Sequence, residues 1–474
     1  LRKWMKIESI EVEATIEKTR KLLKNDPGIS PALKSTIETL LVLMTVLINQ
    51  LGLNSQNSSK PPSSDPNRKK KKKVGDRKAG GQKGHTGTTL QKFDDPDHIE
   101  EIPVDRKTLP KGRYKDVGHE SRQVVDIEIS RNVTEYRAQI LEDANGKRHT
   151  APFPEGVNRP VQYGTNVKVH SVYMSQYQLV PYKRIEEDFQ DQAKIPISAG
   201  TVFNFNYDAY HKLEAFEAIV KSKLIESGLC HADETGININ GKRVWLHCVS
   251  NDLWSCYHPH EKRGLEAMEE IGVLPHFKGI LCHDHWKSYF KLDCLHALCN
   301  AHHLRELERA WEQDKQEWAR DMRDLLSQIN EAVDDAGGRL EPAESREYRQ
   351  KYRDLLDKAQ YECPPPDETK KTNKRGRTKR SKARNLLERL MEYETETLRF
   401  MDDEQVPFTN NRGENDIRMT KVQQKISGCF RSVEGAAIFC RIRSYLSTCK
   451  KHGMRATEAL RLLFEGKLPD FMNE

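Results

Sequence analysis

No cysteine occurs before Cys230, and the ten that follow it show no framework spacing. A disulfide-stapled secreted scaffold is thereby excluded, and reduced thiols are expected. Long apolar runs are scarce as well: the longest, from about Leu40 to Ile48, is half the ~20 residues that a spanning helix needs. No charged leader with a cleavage site precedes it. A membrane protein is therefore not expected, and the protein should reside in the cytoplasm. The P-loop is also missing, because AGGQKGHTG at 79–87 has neither the G-x-x-x-x-G-K-[ST] spacing nor a strand before it. What the chain has in quantity is charge: 31% of its 474 residues are charged and 36% hydrophobic, with a mean hydropathy of −0.80. A chain of this length calls for several domains with polar segments between them.

The net charge of +7 conceals an asymmetry. Lys60–Lys92 and Lys370–Arg384 each carry +9, which leaves −11 on all the rest. Concentrated cations on an acidic body point to a polyanionic partner, since clustered Lys and Arg release counterions from phosphates. A solvated linker held open by self-repulsion is the ordinary alternative for either run.

Residues 1–53 read as helical, with Leu33, Ile37, Leu40, Leu41, Met44, Leu47, Ile48 and Leu51 at spacings of three and four. Such a stripe suits docking or dimerisation. Residues 54–92, rich in Pro, Ser, Gly and Lys, read as a flexible tether. Alternation in Val124–Ile129 and Val133–Ile140 suggests a small antiparallel β unit over 93–155. The segment 156–225 turns helical, with Ser198 as N-cap of a second helix after a tight turn. As a helix-turn-helix it would aim Thr201, Asn204 and Lys212 at DNA; an ordinary helical hairpin is the competing reading.

Residues 228–257 hold three β-prone runs separated by Asn240-Gly241 and Asn251-Asp252, both hairpin signals. A helical run from Glu261 to Ile271 follows, then a buried-type strand from Gly279 to Asp284, and a fifth strand near His296–Ala301. This order is that of the RNase H-like fold, in which the first and fourth strands lie side by side. Asp233 falls in the first strand and Asp284 at the end of the fourth, which brings both carboxylates to one end of the sheet. Glu414, on a later helix, supplies the third. Three hard oxygen ligands suit Mg²⁺ or Mn²⁺, and two such ions would serve an in-line phosphodiester displacement. Arg418 and Lys421, at i+4 and i+7 from Glu414, share its helix face and could grip phosphates or form surface ion pairs. A lone Asp in a strand is usually a turn or edge residue; the joint placement is what raises the reading. Cys294, Cys299, His302 and His303, with His283 and His285 nearby, form only one loose set, so zinc is disfavoured.

Six ordered motifs resemble a known family. They are NSSKPPSSD at 57–65 with GGQKGHTGTTL at 80–90, LVPYKRIEEDF at 179–189, HADETG at 231–236, GILCHDHWKSY at 279–289, CNAHHLREL at 299–307, and NNRGENDIRMTKVQQKISGCFRS at 410–432. Together they are similar to the insertion-sequence sixty-six type of DDE transposases. The resemblance implies that Asp233, Asp284 and Glu414 match the catalytic acids. It also implies a helical insertion before Glu414. The zinc-finger segment common in that family is not carried over, because residues 93–155 contain no cysteine.

The expected architecture is a multi-domain α/β plus α protein. It comprises an N-terminal helical segment (1–53), a basic tether (54–92), a β-rich unit (93–155), a helical recognition segment (156–225), an RNase H-like mixed-sheet core (226–303 and 405–474), and a helical insertion (304–404) interrupting that core. The expected activity is metal-dependent cleavage and strand transfer at the ends of a mobile element. The partner would be double-stranded DNA, both element ends and target, engaged by a homo-oligomer, with room for accessory proteins. Lys69, Lys70, Lys71, Lys72 and Lys73 would contact phosphates. A transposase-derived protein that binds DNA without cutting it is the alternative, and a stand-alone nuclease is less favoured.

Overall fold

Two left-handed residues in succession, Asn240 (φ 46°) and Gly241 (φ 83°), close the hairpin around which the central sheet is built. Positive φ at both turn positions matches the right-handed twist of the flanking strands. The computed structural model describes residues 6–7, 10–26, 28–58, 65, 90–366 and 380–472. The strands flanking this turn are β5 (Leu229–Ile239) and β6 (Lys242–Ser250), followed by β7 (Ser255–His260), α7 (Leu265–Ile271), β8 (Ile280–His283) and β9 (Leu295–Leu298). The sheet order is β7-β6-β5-β8-β9. The three-strand meander is antiparallel, whereas β5, β8 and β9 run parallel. The first and fourth strands of the sheet are thus neighbours. Their close approach requires Gly279, where a Cβ would run into the Gly228 carbonyl.

Helices cover the sheet. α13 (Asn411–Ser427) and α14 (Val433–Lys451) pack on the meander and enclose Leu246, Tyr257, Ile417 and Phe439. Ser444 and Thr448 of α14 accept hydrogen bonds from the amides of Tyr257 and Ser255 (2.9 and 3.1 Å), so the outer strand β7 has donors satisfied by a helix rather than left open. The bridge Ile239–Phe430 fastens the end of β5 to the chain leaving α13. Between β9 and α13 the described residues are mostly helical: α8 (Asn300–Asp314), α9 (Glu317–Asp335), α10 (Pro342–Glu362), α11 (Lys382–Glu392) and α12 (Glu394–Leu398). They share a core containing Trp318, Met322, Tyr352 and Leu386, continuous with Cys282 and Ala297 of the sheet. α3 (Thr165–Val172), α4 (Tyr182–Ala193), α5 (Ala199–Lys212) and α6 (Glu214–Ile225) precede the sheet, and α15 (Ala456–Phe464) follows it.

The chain divides into two compact units: 1–68, 157–186 and 197–474 form one, and 69–156 with 187–196 the other. In the second unit the strand content is less than the alternation suggested. Among the described residues of the unit only β3 (Ile140–Glu142) and β4 (Arg148–Thr150) pair, and Val124–Ile129 forms no strand. Val124 is 93% and Ile127 81% exposed, so the alternating apolar residues find no face to cover within the unit.

The N-terminal helices α1 (Val12–Asn25) and α2 (Pro31–Leu51) follow a short pair, β1 (Lys6–Ile7) and β2 (Ile10–Glu11). They pack through Val12, Ile16, Leu23 and Leu41. With 21 residues, α2 is long and apolar enough to cross a membrane by length and composition, a property hidden when only the uninterrupted apolar run is counted. Just beyond it the expected flexible tether begins as folded chain. Asn57 Nδ2 donates to the Gly52 carbonyl (3.2 Å) and to Glu312 Oε2 (2.7 Å), and Asp65 accepts from the Ser55 amide (2.7 Å). Asparagines that answer the open carbonyls of a helix end explain this knot.

Candidate active site

β5 and β8 pair in parallel with Leu229 beside Ile280, Cys230 beside Leu281 and His231 beside Cys282. Extending that register by two residues sets Asp233 level with Asp284. Asp284 stands just past the end of β8, where its Oδ1 accepts from the Trp286 amide (2.9 Å) and its carboxylate is fixed in direction. Asp233 Oδ1 accepts from the Glu234 amide (2.9 Å). The Asp233 carboxyl is held well above the usual carboxylate range, first by burial, then by the charges of Glu234, Asp284 and Glu414. Four acids therefore share one field at one end of the sheet.

Glu414 lies in the first turn of α13, and the residue before that helix, Asn410, ties the turn to β5. Asn410 Nδ2 donates to the Ala232 carbonyl (2.8 Å), and its Oδ1 accepts from His231 Nδ1–H (2.7 Å). Its backbone amide donates to Cys299 Sγ (3.1 Å). Asn410 is 2% exposed, so these bonds replace solvent outright. Gly413 leaves it room: a Cβ there would sit 3.1 Å from both Asn410 amide atoms.

On the other face of β5, Glu234 forms an arrangement that strand alternation separates from its neighbour Asp233. Its Oε1 accepts from Arg263 Nε (2.6 Å) and Nη2 (2.5 Å), and Tyr289 Oη donates to Oε2. Arg263 lies over the rings of Trp286 (3.8 Å) and Trp245 (4.8 Å), and its Nη2 is 4.0 Å from Asp284 Oδ2. Burial, then Asp284, raises the Glu234 carboxyl above its ordinary value. Beneath Asp284, His283 Nδ1–H donates to the Asp284 carbonyl while His296 Nδ1–H donates to His283 Nε2 (3.1 Å). Burial pulls His283 down to about 3, so it stays neutral.

Asp233, Asp284 and Glu414 are thus brought to one region, although their oxygens do not all close to within 4.8 Å. Among the described residues the one trio that does is Cys299, His302 and Glu414. Of the six cysteines and histidines that the sequence offered as a zinc set, only Cys299 and His302 gather, and a carboxylate completes them. Lys421 Nζ donates to the Gly236 carbonyl (2.8 Å), and Arg418 is exposed on the same helix. Ser198 caps α5 by accepting from the Thr201 amide (3.1 Å); Thr201 is half-buried and Asn204 exposed. Lys69 to Lys73 lie outside the described residues. Asn410, Glu234, Arg263 and Tyr289 escaped sequence reasoning. Only the adjacency of Glu234 to Asp233 could have flagged any of them.

The donor set of Asp233, Asp284 and Glu414 fits a hard divalent cation. It is all oxygen, it carries excess negative charge, and Glu414 Oε1 is buried without a hydrogen-bond partner. Residues 160–438 match the family model described as Transposase IS66 family. Residues 3–91 match one described as a family of unknown function, DUF6444. No curated protein matches the chain.

Proposed function

The chain belongs to the Transposase IS66 family, and on that premise we propose that it is a DDE transposase with an RNase H-like catalytic core whose acids are Asp233, Asp284 and Glu414. The observation that carries this reading is the parallel register that sets Asp233 beside Asp284, with α13 pinned to β5 by Asn410 so that Glu414 faces the same charge field. The reaction is phosphoryl transfer on DNA. Water attacks a phosphodiester at the element end and a 3′-hydroxyl leaves; that hydroxyl then attacks a phosphodiester of the target and displaces another 3′-hydroxyl.

Mg²⁺ or Mn²⁺ held by the three acids would neutralise phosphate charge and favour deprotonation of the attacking hydroxyl. The chain's own residues supply position. The Trp286 amide orients Asp284, the Arg263 guanidinium braces Glu234 beneath it, and Arg418 and Lys421 extend from α13 to hold backbone phosphates. DNA reaches this core through contacts made elsewhere: Lys69 to Lys73 on phosphates, and Thr201 and Asn204 on base edges if α5 enters a major groove. Binding as a homo-oligomer would pair two element ends.

Asp233→Asn, Asp284→Asn and Glu414→Gln each keep shape and lose charge. Each should abolish cleavage and joining in Mg²⁺ while leaving DNA binding within a fewfold of wild type. Near-normal strand transfer by any one variant removes that residue from the site.

A further inference from the structure

Cys299 occupies the N-cap position of α8 and His302 lies three residues on, so both side chains project from the same first turn. Glu414 reaches them from the first turn of α13. The two helix starts are fixed against each other: the Asn410 amide donates to Cys299 Sγ (3.1 Å), and the Asn300 amide donates to the Phe408 carbonyl (3.0 Å). Sγ, the imidazole nitrogen and the carboxylate oxygen all lie within 4.8 Å of one another.

His302 Nδ1 and Glu414 Oε1 stand 3.8 Å apart. That is too long for a hydrogen bond, yet within about half an ångström of the ~3.3 Å between two ligands on one tetrahedral ion with ~2 Å bonds. Both atoms are buried, and neither has a hydrogen-bond partner. A buried acceptor and a buried ring nitrogen left unbonded side by side cost stability unless a further species joins them. Arg305, 3.9 Å from Glu414 Oε2, offsets part of the carboxylate charge but leaves Oε1 unanswered. His302 retains 28% side-chain exposure, which gives an ion a way in.

We propose that Cys299, His302 and Glu414 form a binding site for a thiophilic divalent cation, Zn²⁺, whose occupation withholds Glu414 from Asp233 and Asp284 and so inhibits the enzyme. The second half of the proposal rests on the catalytic reading of Glu414 given above. Sulfur, imidazole and carboxylate together favour Zn²⁺ over Mg²⁺, and three protein ligands leave a fourth position for water. Binding forms a metal–sulfur bond and releases the Cys299 thiol proton to solvent, with no change of oxidation state. Glu414 cannot serve both places, so the soft ion and the hard ions compete for one side chain.

Full-length protein stripped with chelator and kept reduced, in excess Mg²⁺, is titrated with Co²⁺ and, in parallel, with Zn²⁺ against a chromophoric chelator. One equivalent of Co²⁺ should produce a thiolate-to-cobalt charge-transfer band, displaced by Zn²⁺. The band should vanish in Cys299→Ser and persist in Asp233→Asn. His302→Ala should weaken Zn²⁺ by more than the roughly 10- to 100-fold typical of losing an outer-shell partner. That variant, at a partly exposed position, keeps the test valid if the cysteine variant fails to fold. No band in the wild type, a band that survives in Cys299→Ser, or unchanged Zn²⁺ affinity in His302→Ala overturns the site. Zn²⁺ binding that leaves Mg²⁺-dependent cleavage undiminished overturns the withholding of Glu414. Wild-type protein inert in Mg²⁺ alone, but with the band intact, would count against the catalytic reading and not against the site.

Discussion

Replacing Asn410 by Ala removes a side chain that hydrogen-bonds the start of α13 to β5. Two buried groups then lose their partners, the Ala232 carbonyl and His231 Nδ1–H. An orphaned buried polar group costs about 1–3 kcal/mol, so a loss of about 2–6 kcal/mol is expected before any relaxation. The kinetic effect has a separate origin. Glu414 is carried on the turn that Asn410 holds, and a displacement of about 1 Å at a catalytic group can reduce the rate on the order of 100-fold. Single-turnover cleavage of a labelled element end in Mg²⁺, with thermal melting of the same samples, measures both. Asn300→Ala is the matched control. That residue is also fully buried, and its side chain donates to the Thr397 carbonyl (3.0 Å) and accepts from His303 (2.9 Å), but it holds α12 and not Glu414. Asn410→Ala should lose far more activity than Asn300→Ala for a comparable loss of melting temperature. Equal losses of activity, or an Asn410→Ala enzyme that cleaves within twofold of wild type, would refute the idea that this bond network sets the position of Glu414.

Gly413→Ala tests the same network from outside. Alanine raises helix propensity by up to about 1 kcal/mol, but its Cβ would press on the Asn410 amide at 3.1 Å. Cleavage should fall while melting holds or improves, and unchanged cleavage would mean the amide yields freely. The raised pKa of Asp233 has a thermodynamic sign. A carboxyl that protonates more readily when folded contributes stability below its unfolded pKa, near the ordinary 3.8, and that contribution is lost as pH rises towards the folded value. Without divalent cations, Asp233→Asn should therefore melt above wild type at neutral pH, and the gap should close towards pH 4; a gap independent of pH would show that Asp233 is not so destabilised. Replacing Lys69 to Lys73 by Ser should weaken binding to all DNA sequences alike and reduce the slope of log affinity against log salt by roughly one unit for each phosphate no longer neutralised. An unchanged slope would leave those lysines as a spacer.

What could be read in the sequence follows from which interactions are local. The Asn240-Gly241 turn needs two left-handed residues and announces itself, so the meander was legible, and with it the placement of Asp233 on its first strand. Ser198 announced α5 in the same way, because a cap bond spans only three residues. Alternation misled at Val124–Ile129, since period two marks a strand only where another layer covers one face, and those residues stay exposed. The tether misled in the opposite sense: composition marks 54–58 as loop, but it cannot reveal that Asn57 will meet Glu312, 255 residues on.

The site divides along the same line. Two of its acids sit on or just past strands whose register fixes their meeting, and that register follows from hydrophobic patterning. The third depends on a hydrogen bond spanning 178 residues, from Asn410 to Ala232, and no periodicity predicts it. Glu234 shows the limit most clearly. Its neighbour Asp233 and its own buried ion pair with Arg263 differ only in which face of β5 each acid takes. A sequence that offers two adjacent acids states that they will part. It does not state that one will be matched by a guanidinium held against two tryptophans while the other remains short of positive charge, and that difference is what separates a supporting carboxylate from one suited to a metal ion.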